Sequence, residues 1–316
     1  MKTLLLIDGS GIMYRAFFAL PAFMTKAGIP TNAIYGTLTM VHKVTQDFNT
    51  DHVLFCMDTP TPTFRKKLLT TYQSQRPETP KDFIVQIAPI KELLTLGGIT
   101  CISQPGYEAD DVIGTLAHTY KSQFDRVYIL SSDKDILQLV DINVSVISPT
   151  VGISQVKVYT PTDVEEKMGV LPEKIPDLKG LIGDPSDNYM GAKGIGPKTA
   201  INLLSQFGSI DEMYAHLDEI KSEKVKGILQ DQKENVTLSQ TLATILTDVP
   251  LDLDIANTTF QSYRPELKPK LEEYNMKSLL ARFFNEKVHA KKTSNESHKK
   301  ETVEKQKPPD DQIKLF

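Results

Sequence analysis

Nine carboxylates stand where a folded chain could bring them together. Asp8 ends the apolar run 4–8, and Asp58 ends the run 52–58. Asp133 and Asp135 follow a third such run, 127–131. Glu108, Asp110 and Asp111 open a helical stretch in which Glu108 and Asp111 share a face at i, i+3. Asp184 and Asp187 lie in a loop of Gly, Pro, Ser and Asn at 183–188. A lone Asp at a helix start or strand end is usually a cap. Converging carboxylates are another matter, because like charges raise each other's pKa unless a cation neutralises them. An all-oxygen donor set, with no His/Cys spacing for zinc, suits Mg2+ or Mn2+. Hard ions held by many carboxylates fit two-metal phosphoryl chemistry, with ions about 4 Å apart.

The elements that must position these acids alternate. Runs 4–8, 52–58, 99–103, 127–131 and 144–147 have strand character, while 34–48, 83–96 and 109–120 carry helical spacing of apolar residues. Strand–helix alternation predicts an α/β fold, a mainly parallel twisted sheet flanked by helices. In such a sheet, sites form beyond the carboxyl ends of the strands, where these acids fall. After about Pro161 the pattern turns helical, with breaks at Pro172, Gly183, Pro197 and Pro250. An α/β lobe over 1–160 and a helical lobe over 161–286 are expected. Residues 287–311 are polar and almost free of apolar side chains, and are expected to be a disordered linker. The chain then ends on Gln312, Ile313, Lys314, Leu315 and Phe316.

Composition is that of an ordinary globular protein, with 40% hydrophobic and 24% charged residues. No apolar run is long enough to span a membrane, and the N-terminal residues show no signal-peptide pattern, so no membrane association and a cytoplasmic location are expected. Cys56 and Cys101 sit in apolar strand-like runs and read as reduced core residues. A net charge of −4 does not exclude a nucleic-acid partner. With nine acids set aside for one site, the other 31 face 36 Lys and Arg, an excess of five positive charges elsewhere.

Two basic segments could meet phosphates. In 191–200, Gly194 and Gly196 permit close backbone approach, Pro197 is placed to start a helix, and Lys193 and Lys198 add charge. Taken alone, the run is equally a simple helix–helix corner. In 60–80, Arg65, Lys66, Lys67 and Arg76 interleave with Phe64 and Tyr72, a mixture that suits an unpaired strand. A solvated loop fits that composition as well.

Six motifs in order make the chain resemble the 5′ nuclease (flap endonuclease) family, in particular the form found as the N-terminal domain of bacterial DNA polymerase I. They are Ile7-Asp8-Gly9 with Tyr14-Arg15-Ala16; Met57-Asp58 with Phe64-Arg65; Tyr107-Glu108-Ala109-Asp110-Asp111-Val112; Ser132-Asp133-Lys134-Asp135; Gly183-Asp184-Pro185-Ser186-Asp187-Asn188; and Gly191-Ala192-Lys193-Gly194-Ile195-Gly196-Pro197-Lys198-Thr199-Ala200. The resemblance implies a PIN-like catalytic lobe and a structure-specific 5′-3′ exonuclease and flap endonuclease, used in primer removal or repair. It implies one metal held by Asp58, Glu108, Asp110 and Asp111 with Asp8 close by, a second held by Asp135, Asp184 and Asp187, and Asp133 between them. It further implies a helix–three-turn–helix over Lys193, Gly194, Gly196, Lys198 and Thr199 that grips duplex backbone, with K+ at its hairpin. An arch over 60–100 would bring Arg15, Arg65 and Arg76, with Lys66, Lys67 and Tyr72, to the scissile strand. The implied partners are branched or 5′-flap DNA and RNA primer–DNA duplexes, bound by a monomer.

One position departs from the family pattern. Where Tyr-Lys-x-x-Arg is usual, the chain has Tyr72-Gln73-Ser74-Gln75-Arg76. Glutamine can hydrogen-bond a phosphate oxygen but supplies no charge. A DNA-junction binding protein with weakened catalysis, or an RNA-directed nuclease, are the competing readings. The terminal Gln312, Leu315 and Phe316 resemble peptides that bind bacterial sliding clamps, although five residues match easily by chance.

Overall fold

Six strands build one sheet: β1 (Thr3–Asp8), β2 (His52–Cys56), β3 (Thr100–Ile102), β4 (Arg126–Leu130), β5 (Val144–Val151) and β6 (Gln155–Tyr159). Their order is β3-β2-β1-β4-β5-β6; neighbours run parallel except β5 and β6, which are antiparallel. The computed structural model describes residues 1–152 and 155–285. Expectations for 287–311 and for Gln312, Leu315 and Phe316 lie outside the described residues.

All six side chains of β1 are buried, and their two-residue period divides them between two cores. Leu4 and Leu6 enter one core, Leu5 and Ile7 the other; in β2, Leu54 and Cys56 alternate with Val53 and Phe55 in the same way. Near-continuous apolar runs are what a parallel sheet covered on both faces requires.

Helices α1 (Gly9–Ala19), α2 (Asn32–Asp47), α3 (Phe64–Leu68), α4 (Lys81–Leu96) and α5 (Ala109–Tyr120) alternate with the strands. A helical series follows: α6 (Pro161–Met168), α7 (Ile175–Ile182), α8 (Pro197–Phe207), α9 (Ile210–Ala215), α10 (Glu223–Asp231), α11 (Lys233–Ala243), α12 (Lys268–Glu273) and α13 (Lys277–Phe284). The α5 core continues without a break into residues of α6 to α11. The opposite core holds residues of α1, α2 and α4. No helix among the described residues is long and apolar enough to cross a membrane.

The structure departs from the sequence reading in three places. α1, which the sequence reading did not include, follows β1 directly; Asp8 caps it by accepting from the Gly11 N–H at 2.8 Å. A side chain on Gly11 would run into the Asp8 carboxylate, so the close cap requires glycine. β6 was missed because Gln155 and Lys157 leave it a half-exposed polar edge. α12 and α13, expected in the helical lobe, pack instead with α2 and α4, where Leu267, Leu271, Leu279 and Phe283 cover the face that Ile34, Leu38 and Val41 present.

Candidate active site

The chain runs outward from β1 through β2 to β3, then returns to β4 on the other side of β1. This reversal opens a crevice beyond the carboxyl ends of β1 and β4, the usual place for a ligand in an open α/β sheet. The acids gather there. Asp8 ends β1, buried and held by Ser131 Oγ at 2.8 Å. Asp58 lies two residues past β2 and accepts from the Ala109 N–H at 2.8 Å, the first helical residue of α5. Glu108 and Asp111 cap that helix reciprocally. Asp133 and Asp135 follow β4, joined by the Asp135 N–H donating to Asp133 at 2.8 Å. Asp184 and Asp187 come from the loop after α7, and each shares one metal-compatible position with Asp135: an oxygen of all three lies within 4.8 Å of the others.

Burial and mutual repulsion act on these groups together. Burial, then the charges of Asp58 and Asp133, push Asp8 up to about 6 from 3.8. Burial likewise lifts Glu108 to about 7 from 4.5, although Arg65 opposes it. Asp135 rises to about 7 from 3.8 through burial and Asp133, with Lys179 opposing. Asp110 is pushed well above the usual carboxylate range by burial and by Asp133, Asp8, Glu108 and Asp58. Each of these acids is raised in part by another, and among the described residues Asp135, Asp184 and Asp187 are the group whose oxygens converge closely enough for one ion.

The donor set fits hard divalent cations. It is all oxygen, it repels itself, and it borders the buried Tyr189 hydroxyl, which has no hydrogen-bond partner although Asp135, Asp184 and Asp187 all act on it. Ligand carboxylates must lose their protons, so ion binding strengthens as pH rises through the raised values. Between the ordinary and raised values the native protein also holds more protons than the unfolded chain, so these groups contribute less stability as pH rises. The gain in melting temperature from Mg2+ is therefore expected to grow from pH 5 to about 7.5. A gain independent of pH across that window contradicts the assignment.

The basic residues divide by placement. Arg65 is buried, not free at the mouth: its guanidinium donates to Asp111 at 2.7 and 2.9 Å, to Glu108 at 3.2 Å, and to the carbonyls of Leu242 and Thr244, both at 2.8 Å. Every donor is used, which leaves none for a phosphate. Its partner Asp111 is fully buried, and also accepts from the Glu108 and Leu246 N–H groups. Tyr72 is buried too, not an open stacking surface; its hydroxyl donates toward Asp187 at 3.2 Å and Glu108 at 3.3 Å. Arg76 is exposed and pairs with Asp187 at 2.7 Å. Gln73 takes a left-handed conformation, φ 55°, and its N–H donates to the Asp187 carbonyl at 2.9 Å. Arg15 on α1 is half-buried and donates to the Gly152 carbonyl. Lys66 and Lys67 on α3 are exposed.

Between α7 and α8, residues 191–196 form a hairpin. Lys193, Gly194, Gly196 and Lys198 are exposed and Thr199 is half-buried. Gly194 has φ +107°, a conformation only glycine adopts freely. The side chain of Gln232 closes the hairpin by accepting from the Lys193 N–H at 2.7 Å and donating to its carbonyl at 3.1 Å. Pro197 opens α8, and Gly196 leaves its N-terminal N–H groups without a side-chain cap.

Sequence reasoning missed Lys179. It sits on α7, 9% exposed, with its ammonium on Asp135 and, at 2.5 Å, on Asp184. Burial would lower its pKa, but the two carboxylates raise it. Burial lifts Asp184, but Lys179, together with the Ser186 hydroxyl and N–H, holds it below the usual range. A single Lys inside an apolar helix, five residues before Asp184, was the available signal.

A carboxylate cluster at the switch point of a mainly parallel sheet, bordered by a helical lobe, defines a metal-dependent phosphoryl-transfer enzyme of the α/β class. Comparison with known proteins narrows the class. Residues 3–169 match the family described as 5′-3′ exonuclease, N-terminal resolvase-like domain, and residues 170–266 match 5′-3′ exonuclease, C-terminal SAM fold. A 5′-3′ exonuclease of Aquifex aeolicus is 43% identical over 283 residues, 89% of this chain and 94% of its own. DNA polymerase I of Bacillus subtilis is 38% identical over 290 residues, 92% of this chain, and the chain spans 33% of that polymerase's length. A flap endonuclease variant of bacteriophage T5, solved with DNA and metal ions, shares the fold at a TM-score of 0.66 and 20% identity, covering 90% of this chain and 100% of its own. The chain belongs to the 5′-3′ exonuclease family.

Proposed function

We propose that the chain is a structure-specific 5′-3′ exonuclease and flap endonuclease that hydrolyses DNA phosphodiesters with two divalent ions. The observation that carries this is the convergence of Asp135, Asp184 and Asp187, beside the further acids at the switch point, in a chain of this family. Asp8, Asp58, Glu108 and Asp110 would hold one Mg2+ or Mn2+, and Asp135, Asp184 and Asp187 the other, with Asp133 shared. When bound, the ions supply an activated water and stabilise the leaving oxygen, so that in-line attack needs no covalent intermediate. Asp111 is assigned to holding Arg65, and through it the base of α3, against the helical part.

The exposed cations, with the half-buried Arg15, would bind the substrate. Arg15, Arg76, Lys66 and Lys67 are offered to the single strand passing the acids. The hairpin with Lys193, Gly194 and Gly196, together with Lys198 and Thr199 at the start of α8, is read as a helix–three-turn–helix; it would hold duplex backbone, with K+ at its carbonyls. Such contacts read shape and phosphate, not base sequence. The α/β part is read as PIN-like, and a flap-bearing or primer-bearing duplex as the partner of a monomer.

One assay tests this reading. Cleavage of a 5′-flap DNA is expected to require Mg2+, with binding retained in its absence and a matched RNA hairpin left intact. In the same assay, Lys198→Ala should weaken binding alike for all sequences and lower the salt slope by about one charge equivalent. Mg2+-independent cleavage, or preferential cleavage of the RNA, overturns the assignment.

A further inference from the structure

The second group of acids is already neutralised from within. Asp135 and Asp184 share the Lys179 ammonium, and Asp187 takes Arg76 at one oxygen and the Tyr72 hydroxyl at the other. Lysine is seldom buried this deeply unless paired, and here both partners are residues a metal would use. A divalent ion such as Mg2+ needs carboxylate oxygens at about 2.1 Å. An ammonium hydrogen-bonded to the same two carboxylates stands on that ground, and two cations cannot share it without strong repulsion. The neighbouring Tyr189 hydroxyl, 4% exposed and without a partner among the described residues, borders the same three acids.

We propose that the Lys179 ammonium is a built-in occupant of the second cation position, which the second divalent ion must displace. The inference rests on the metal assignment made under Proposed function. While the ammonium is in place, it spares the protein the repulsion between Asp135 and Asp184. Its withdrawal makes the second ion bind more weakly than the first. Loading of the pair is thereby stepwise.

The test uses Mn2+ and the full chain without DNA, counting bound ions from the paramagnetic resonance signal of free Mn2+. Wild type should bind one ion tightly and a second weakly. Lys179→Met keeps the buried stem, removes the charge, and should tighten the second ion by about tenfold or more. Its metal-free melting temperature should fall, and Mn2+ should raise it by more than in wild type. Lys179→Gln, which still donates to a carboxylate, should tighten the second ion in the same way, whereas Lys179→Arg should keep the weak second site. Equal or weaker second-ion affinity in both neutral variants overturns the displacement proposal alone. No Mn2+ binding by wild type or variants overturns the metal assignment with it.

Discussion

Asp133→Ala is expected to abolish cleavage, a loss on the order of a thousandfold or more, while binding of a flap-bearing duplex persists. The exposed Asp133 carboxylate faces both halves of the acidic cluster: its charge acts on Asp8 and Asp110 on one side and on Asp135 on the other. Among the described residues it accepts only the Asp135 N–H, so its removal costs the fold little. Single-turnover cleavage in Mg2+, measured beside binding without divalent ions, separates the two effects. Cleavage near the wild-type rate would remove Asp133 from the metal site.

Arg65→Ala should act in the opposite order, on the fold first and on the chemistry through it. The guanidinium is an interior strut: two bonds hold Asp111, one holds Glu108, and two hold carbonyls at the C-terminal end of α11. Truncation leaves a fully buried Asp111 without its cation, a change that typically costs about 3–5 kcal/mol. Denaturant unfolding should show a loss of that size, together with weakened cleavage because Glu108 loses its neighbour. Arg65→Lys should recover little of the stability, since an ammonium cannot reproduce the bidentate fork or reach both carbonyls. A stability loss well below about 1 kcal/mol, the scale of an exposed pair, would contradict the strut.

Sequence made the acids legible because each follows a strand or opens a helix, positions that one-dimensional patterning exposes. Both faces of β1 and β2 were legible for the same reason, as unbroken apolar runs. The partners of those acids were not. Arg65 belongs to a run with Lys66 and Lys67 that reads as a solvated surface, and only the fold separates one buried cation from two exposed ones. Tyr72 reads with Phe64 as part of a segment suited to an unpaired strand, since nothing local to it announces that Asp187, more than a hundred residues on, receives its hydroxyl. Lys179 left only a local trace, five residues before Asp184, because its other partner, Asp135, lies across a long stretch of chain. β6 and the return of α12 and α13 depended on which surface lacked a cover, a question of three-dimensional packing.

That return sets the shortest fragment in which both faces of the sheet stay covered. The stretch matched to the family ends at residue 266, yet Leu267, Leu271, Met276, Leu279 and Phe283 all lie buried beyond it, in the core of α2 and α4. Exposing such side chains costs roughly 1.5–3 kcal/mol each. Five of them together rival the whole stability of an ordinary domain, about 5–15 kcal/mol. A fragment trimmed to the family match would thus present a raw apolar face to solvent and self-associate, whereas one carried through Phe284 keeps that face sealed.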